Sequence, residues 1–310
     1  MTKLSSEYRP YKGLISLQNS PPVDDTGFNW QGHSNFMANR YTIVDKHKEQ
    51  VAFVQQPAQD DFLYHMSLYL NILVLKARKM GFSSTALGVA TTKFLTGQNE
   101  KCVSMSFDST ASGKQLQRAK HYIKSYELNR SKALETDFKV PFKYNSKSEL
   151  VFEGKEENAI GGYDYFQNTL QVGTAKSTSF GRGDDISFLH LTEVAFVDDI
   201  EVLLSGVGEA CLPLAHKILE TTANGFNSYK KKWDQSMLNN SGFAALFYSP
   251  EWEYIKAFLE QKRQSLGRLY PQEYPQTPQD AFLTSGLSFF DNLALRDLLR
   301  NTRQPLWATL

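Results

Sequence analysis

The sequence predicts an α/β fold in which a mainly parallel central sheet is covered on both faces. Three observations predict it. Short apolar runs rich in branched residues recur at 70–75, 102–107, 186–191, 216–222 and 243–248, and runs of that length suit strands buried on both faces. Helical patterns separate several of them, and strands alternating with helices build parallel sheets. The 310 residues are 41% apolar, 13% aromatic and 22% charged, a globular composition that excludes a disordered or fibrous chain. No stretch approaches the roughly 20 apolar residues that cross a bilayer. The first 13 residues lack the apolar core of a secretory signal.

Taken in order, residues 1–45 hold Pro21-Pro22, Asp24-Asp25 and Gly27 with little periodicity, and read as an irregular N-terminal arm. Residues 51–54 suggest a short strand, and Pro57 opens a helix. The run at 70–75 is the first buried strand. It ends in Lys76-Ala-Arg-Lys-Met-Gly-Phe-Ser-Ser84, and a helix follows over about 85–94. Further strands are expected at 102–107, 150–154, 169–173, 186–191, 216–222 and 243–248. An amphipathic helix is expected at 251–266, and a final helix at 293–299. The organisation is an arm (1–45), a core (46–250) and a small lid (251–310). Cys102 and Cys211 have no partner at metal-site spacing, so they read as buried thiols in a reducing compartment.

The net charge of +1 gives no global sign of a nucleic-acid partner. Residues 114–147 alone carry nine Lys and Arg against three Asp and Glu, a local +6. Lys120 and Lys124 lie on a probable helix there, followed by Lys139 and Lys143. They read either as a solvated face or as a phosphate-backbone contact, with 230–233 (Lys-Lys-Lys-Trp) as a weaker candidate.

Three strand ends carry candidate chemistry. After the first strand, the order strand, Gly-containing loop and helix is what a phosphate-binding turn needs. Against the standard GxxxxGK[ST] pattern, Phe82 stands where the Lys belongs and Ser83 stands at the hydroxyl position. Lys76 and Arg78 offer cations earlier in the same loop, and a basic turn without ligand is the alternative. The second element is Phe188-Leu-His-Leu-Thr-Glu193, an apolar strand ending in Glu, with His190 interrupting the run and Thr192 where a Walker B Asp would hold Mg²⁺. The third, Ile218-Leu-Glu-Thr-Thr-Ala-Asn-Gly225, ends in hydroxyls and an amide at the carboxyl edge of a strand, where open α/β sheets bind ligands.

Together and in this order, these elements resemble the ATPase half of the phage terminase large subunit. Lys76–Ser84 is similar to that family's deviant Walker A, residues 189–196 to its Walker B variant, and residues 219–225 to its coupling motif. Residues 273–282 resemble the segment that closes the ATPase region, and Pro57-Ala-Gln59 resembles an adenine-contacting Q motif. The resemblance spans roughly 50–290. It implies a P-loop NTPase fold of the ASCE, RecA-like kind, with three layers, and an Mg²⁺-dependent ATPase that moves double-stranded DNA.

By that resemblance, Lys76 neutralises β/γ-phosphate charge, Gly81 belongs to the loop, and Ser83 or Ser84 ligates Mg²⁺, with Thr192 reaching it through water. Glu193 is the catalytic carboxylate, Thr222 and Asn224 couple hydrolysis to movement, and Gln59 contacts the base. The arginine finger is Arg78 in cis or Arg182 in trans. The implied partners are double-stranded DNA, a portal protein, a small terminase subunit and further copies of the chain in a ring, without a membrane. The implied place is the host cytoplasm at the procapsid portal. The usual RNase H-like nuclease half has no counterpart before Leu310, so nuclease activity is not expected. Lys79, Phe82 and Thr192 depart from the commoner pattern. A degenerate module that binds DNA or capsid protein without hydrolysis is the rival reading, and a helicase is a third.

Overall fold

The structure, a computed structural model, describes residues 26–45, 47–175, 183, 185–283 and 298, together with a strand at Leu14–Ser16. That strand is β1, and α1 (Trp30–Arg40), β2 (Thr42–Val44) and β3 (Gln50–Ala52) follow it. Next come α2 (Pro57–Leu68), β4 (Asn71–Lys76), α3 (Phe82–Thr96), β5 (Lys101–Ser106) and α4 (Ser109–Leu134). The middle of the chain forms β6 (Phe142–Asn145), β7 (Glu149–Glu157), β8 (Tyr163–Thr174), β9 (Ile186–Thr192) and α5 (Ile200–Leu203). The remainder holds β10 (Cys211–Thr221), α6 (Ser228–Met237), β11 (Ala244–Tyr248), α7 (Lys256–Leu266), α8 (Tyr270–Glu273) and α9 (Pro278–Leu283).

Among the described residues, one sheet runs in the order β1-β11-β4-β10-β9-β5-β8-β7-β6. The six strands from β11 to β8 are parallel. β1 joins antiparallel at one edge, and β7 and β6 extend the other edge antiparallel. This is the mainly parallel sheet that the apolar runs predict. Two apolar cores cover it, as burial on both faces requires. One gathers Ile72, Val74, Phe188 and Ile218 with residues of α1 to α4. The other gathers Leu73, Leu75, Leu191 and Leu219 with Tyr229 and Trp233 of α6 and Phe282 of α9. Alternate residues of one strand thus feed opposite cores, as the two-residue period of a strand demands.

The order places β10 between β4 and β9. The loop after β4 and the turn after β9 therefore flank the end of β10, at the carboxyl edge of the parallel strands, where such sheets bind ligands. The helices start well locally. Pro57 stands at the first turn of α2, behind a reciprocal Gln56–Gln59 capping box. The Asp108 side chain accepts from the Ala111 amide to cap α4.

Three regions differ from the reading of the sequence, and one is the helix expected over 251–266, which begins only at Lys256 after a 3-10 turn at Pro250–Trp252. Residues 30–40, read as part of an irregular arm, form α1, capped by Asn29. Only Met37 of that helix is buried, so no apolar stripe marks it. The edge strand β6 also went unread, because its burial is partial at Phe142 alone. The predicted helix at 293–299 lies, Leu298 apart, outside the described residues.

Candidate active site

The turn between β4 and α3 is built by two left-handed residues, Lys79 (φ 60°) and Gly81 (φ 76°). Only glycine takes that conformation freely, and Gly81 has a second reason to be glycine. A Cβ there would lie 2.2 Å from Gln59 Nε2. Gln59 is buried, and its amide donates to Met80 O at 2.9 Å while its Oε1 accepts from the Gln56 amide at 3.1 Å. The residue read as a base contact is thus engaged at both ends in holding the loop.

Other parts of the chain hold the loop as well. The Ala77 amide donates to Tyr248 O at 3.1 Å and the Arg78 amide to Glu273 O at 2.9 Å. The Tyr254 hydroxyl lies within reach of two carbonyls, Arg78 O at 2.9 Å and Lys79 O at 3.1 Å. The Arg78 guanidinium is mostly exposed and pairs with Glu273 at 3.0 Å. Glu273 opens the segment read as closing the ATPase region, and here it touches the loop directly.

Phe82, in the place of the standard Lys, is only 1% exposed and packs on Phe62 and Tyr248. It begins the 15-residue helix α3, whose N-terminus favours an anion. A cation at this end of the sheet comes instead from Lys76, the last residue of β4. Lys76 Nζ lies 3.1 Å from Glu220 Oε2 and 3.8 Å from Glu193 Oε1. Burial lowers the Lys76 affinity for its proton, but Glu220 first and then Glu193 outweigh it, so its pKa is raised.

Glu220 is fully buried in β10. Its Oε1 accepts from Ser83 Oγ at 2.5 Å and from the Thr192 hydroxyl, and His190 Nε2 stands 3.5 Å from the same oxygen. Burial pushes this carboxyl up, yet Lys76 and then His190 and Ser83 prevail and hold it well below the usual carboxylate range. Behind His190, the buried network continues through Ser104, 2.9 Å from His190 Nδ1, to Gln115 of α4.

Glu193 follows β9 in a left-handed conformation (φ 54°) and opens a short 3-10 turn, Val194–Phe196. About a third of its side chain is exposed. Burial of the carboxyl raises its pKa, Lys76 lowers it in part, and Glu220 adds to the rise. The Thr221 and Thr222 hydroxyls stand 3.5 and 3.4 Å from Glu193 Oε2. Asn224 donates to Ala195 O at 3.2 Å, in the turn that Glu193 begins.

The fold therefore brings Lys76, Ser83, Thr192 and Glu193 together, with Thr222 and Asn224 beside them. Of the two serines, Ser83 presents its hydroxyl to the cluster. The carbonyl of Ser84 faces Tyr122 OH at 3.4 Å. Arg182 lies outside the described residues. Glu220 is the residue that sequence reading passed over. A Glu inside an apolar strand is itself a signal, because a buried charge needs a partner.

The basic segment forms a separate surface. Lys120, Lys124 and Lys139 line a groove of about 260 Å³ with Phe142 and Asn145. Part of its charge is paired within the fold: Lys139 pairs with Asp137 and Glu127 and Lys143 with Glu153, while Lys120 keeps its charge and donates to Ser146 O. Lys230 and Lys231 likewise pair with Asp234 and Glu201.

Mg²⁺ prefers hard oxygen ligands, and the donors at the loop are of that kind. Two hydroxyls, Ser83 and Thr192, and the Glu220 carboxylate meet within hydrogen-bond distance. Glu220 Oε2 is paired with the Lys76 ammonium at 3.1 Å. The set fits such an ion.

No protein-family model matches the sequence, and no curated protein is detectably similar to it. Solved structures are similar in fold. The large terminase ATPase domain of Thermus phage P74-26 matches with a TM-score of 0.53 at 13% identity, over 68% of this chain and 89% of that one. The large terminase of bacteriophage HK97 matches with a TM-score of 0.52 at 15% identity, over 83% of this chain and 51% of that one. The chain thus has the P-loop NTPase-like α/β fold of phage large terminase ATPase domains.

Proposed function

We propose that the chain is the ATP-hydrolysing motor domain of a phage DNA-packaging terminase, using Mg²⁺-ATP to move double-stranded viral DNA into a procapsid. The observation that carries this reading is the convergence of Lys76, Ser83 and Glu193 at one turn of the carboxyl sheet edge. It is supported by the likeness in fold to terminase ATPase domains.

The residues have separable tasks in this reading. Lys76 moves from its carboxylate partners toward the β- and γ-phosphates. The N-terminus of α3 offers amides and a positive dipole end to the same oxygens. Glu193 orients and polarises the attacking water, and its raised pKa brings it closer to the neutral range where a base works best. When bound, Mg²⁺ supplies charge neutralisation between the β- and γ-phosphates. Ser83 is the hydroxyl that would hold it, with Thr192 reaching it through water. Thr222 and Asn224 touch Glu193 and its turn, so a change at the γ-phosphate reaches the end of β10 through them. Arg78 is exposed enough to act in cis once released from Glu273, and Arg182 is the candidate for a neighbouring subunit.

The expected partners are double-stranded DNA along the Lys120–Lys124–Lys139 groove with Lys143 nearby, a portal protein, a small terminase subunit and further copies in a ring. The expected place is the host cytoplasm, at the portal of the procapsid. A module that binds without hydrolysis is the second reading, favoured by Phe82 in the core and Thr192 in place of an acid. Glu193→Gln separates the two. It is expected to keep ATP binding and to lose turnover by about 10²-fold or more, the scale of removing a general base. Turnover at the wild-type rate in that variant refutes the assignment of Glu193.

A further inference from the structure

The strand that ends in Glu193 lacks an acid at its penultimate position, Thr192, yet a carboxylate stands beside it. Thr192 and Glu220 are register partners on the parallel strands β9 and β10. Their side chains share one face, and the Thr192 hydroxyl donates to Glu220 Oε1. The same oxygen accepts from Ser83, at the first turn of α3. Glu220 therefore meets both hydroxyls that the nucleotide reading assigns to Mg²⁺. A Glu on β10 is one carbon longer than an Asp, and its carboxylate leans far enough toward β9 and α3 to accept from Thr192 and Ser83.

We propose that Glu220 is the acidic group of the Mg²⁺-nucleotide site, doing from β10 what an Asp at position 192 would do from β9. The inference rests on the nucleotide-binding reading above. Two further observations lead to it. Glu220 is completely buried, and its cation is Lys76 at 3.1 Å. When Lys76 turns to phosphate, the carboxylate loses that cation in a desolvated setting, and an unpaired buried charge is strongly disfavoured. The ion carried by the nucleotide replaces it, so the two cations exchange one anion. In addition, Oε2 is a buried oxygen whose near partner is the Lys76 ammonium at 3.1 Å, so the departure of Lys76 frees it for a new cation. Glu220 is a positioning residue here: it holds the ion and, before that, the lysine.

The test measures the affinity of a fluorescent non-hydrolysable ATP analogue, in Mg²⁺ and in EDTA, for the full chain and its variants. The wild type is expected to bind about tenfold or more tightly with Mg²⁺, one decade of affinity. Glu220→Gln is expected to bind equally in both conditions. Adding Thr192→Asp to it returns the carboxylate from the neighbouring strand and restores the Mg²⁺ preference. If Glu220 serves only to hold Lys76, Glu220→Gln weakens binding alike in Mg²⁺ and EDTA and the preference survives, which overturns the proposal. Failure of the Thr192→Asp rescue in a folded double variant also overturns it. Should Glu220→Gln not fold, Glu220→Asp keeps the charge but withdraws it by one methylene. A partial loss of Mg²⁺ preference then supports the proposal, and an unchanged preference contradicts it. A wild type that binds no nucleotide in either condition sinks the functional reading itself, a result distinct from all of these.

Discussion

Replacing Lys76 by Met removes the buried ammonium while keeping much of the aliphatic stem. The cost can be worked from the geometry. A unit charge pair at the observed 3.1 Å has a Coulomb energy of about 5 kcal/mol at an effective dielectric of about 20. The Glu193 pair, at 3.8 Å with that side chain 31% exposed, adds little because solvent screens it. Glu220 keeps its Ser83 and Thr192 donors, so the loss is expected to be about 3–5 kcal/mol, as for breaking one side of a buried pair.

The assay is urea unfolding of the wild type, Lys76→Met, Glu220→Gln and the double variant at several pH values. The double variant is expected to be more stable than Lys76→Met alone, because it no longer buries an unpaired charge. The pH dependence has a definite sign. Without Lys76, the Glu220 carboxyl loses the largest of the influences that hold its pKa down, so its pKa rises from the wild-type position. The deficit is then largest at alkaline pH and shrinks as pH falls and the carboxyl protonates. Effects that add within about 0.5 kcal/mol, the behaviour of independent sites, or a deficit that ignores pH, refute the coupling.

Three more predictions bear on the loop, the core and the basic groove. Gly81→Ala is expected to cost about 2–4 kcal/mol, from an alanine at positive φ and from displacing the Gln59 amide off Met80 O; denaturant unfolding reads it, and a change below about 0.5 kcal/mol, the scale of a neutral surface change, contradicts the clamp. His216 is buried and its Nε2 donates to Met66 O at 2.8 Å, and burial lowers its pKa from 6.5 to about 4. Its neutral form supports the fold fully above pH 6.5, and about 3 kcal/mol is lost progressively as pH falls through about 4; His216→Gln is expected to flatten the stability curve between those values. Changing Lys120 and Lys124 together to Ala is expected to lower the salt slope of double-stranded DNA binding by about 2, close to 0.9 for each phosphate that is no longer neutralised; an unchanged slope returns both to a solvated face.

Much of the sheet was legible because its strands are buried on both faces, and continuous runs such as 70–75 and 243–248 announce that burial directly. Lys76, Ser83 and Glu193 were legible because each stands at a strand end or a helix start, where ligands are bound. Other features depended on tertiary contact. Glu220 was visible only as an acid inside an apolar strand, while its partners come from the register of β10 against β9, which no local pattern encodes. Phe82 looked like a defect in a phosphate loop, and its burial against Phe62 and Tyr248 gives it a packing role instead. Gln59 was read toward a base, while its amide is occupied by the loop carbonyl and the helix start. The +6 segment was read as a solvated face or a phosphate contact, and the fold pairs Lys139 and Lys143 with acids that are near in space. The helix at Trp30–Arg40 has one buried residue, too few to imprint a period on the sequence.

Phosphate release by the full chain tests most directly the proposed hydrolysis of ATP at the carboxyl edge of the sheet. Release from Mg²⁺-ATP, measured with and without double-stranded DNA, is expected to be present in the wild type, abolished by EDTA and lost in Glu193→Gln. Nucleotide that binds to the wild type and is never released as phosphate, with DNA or without it, would contradict the claim and leave a binding module in its place.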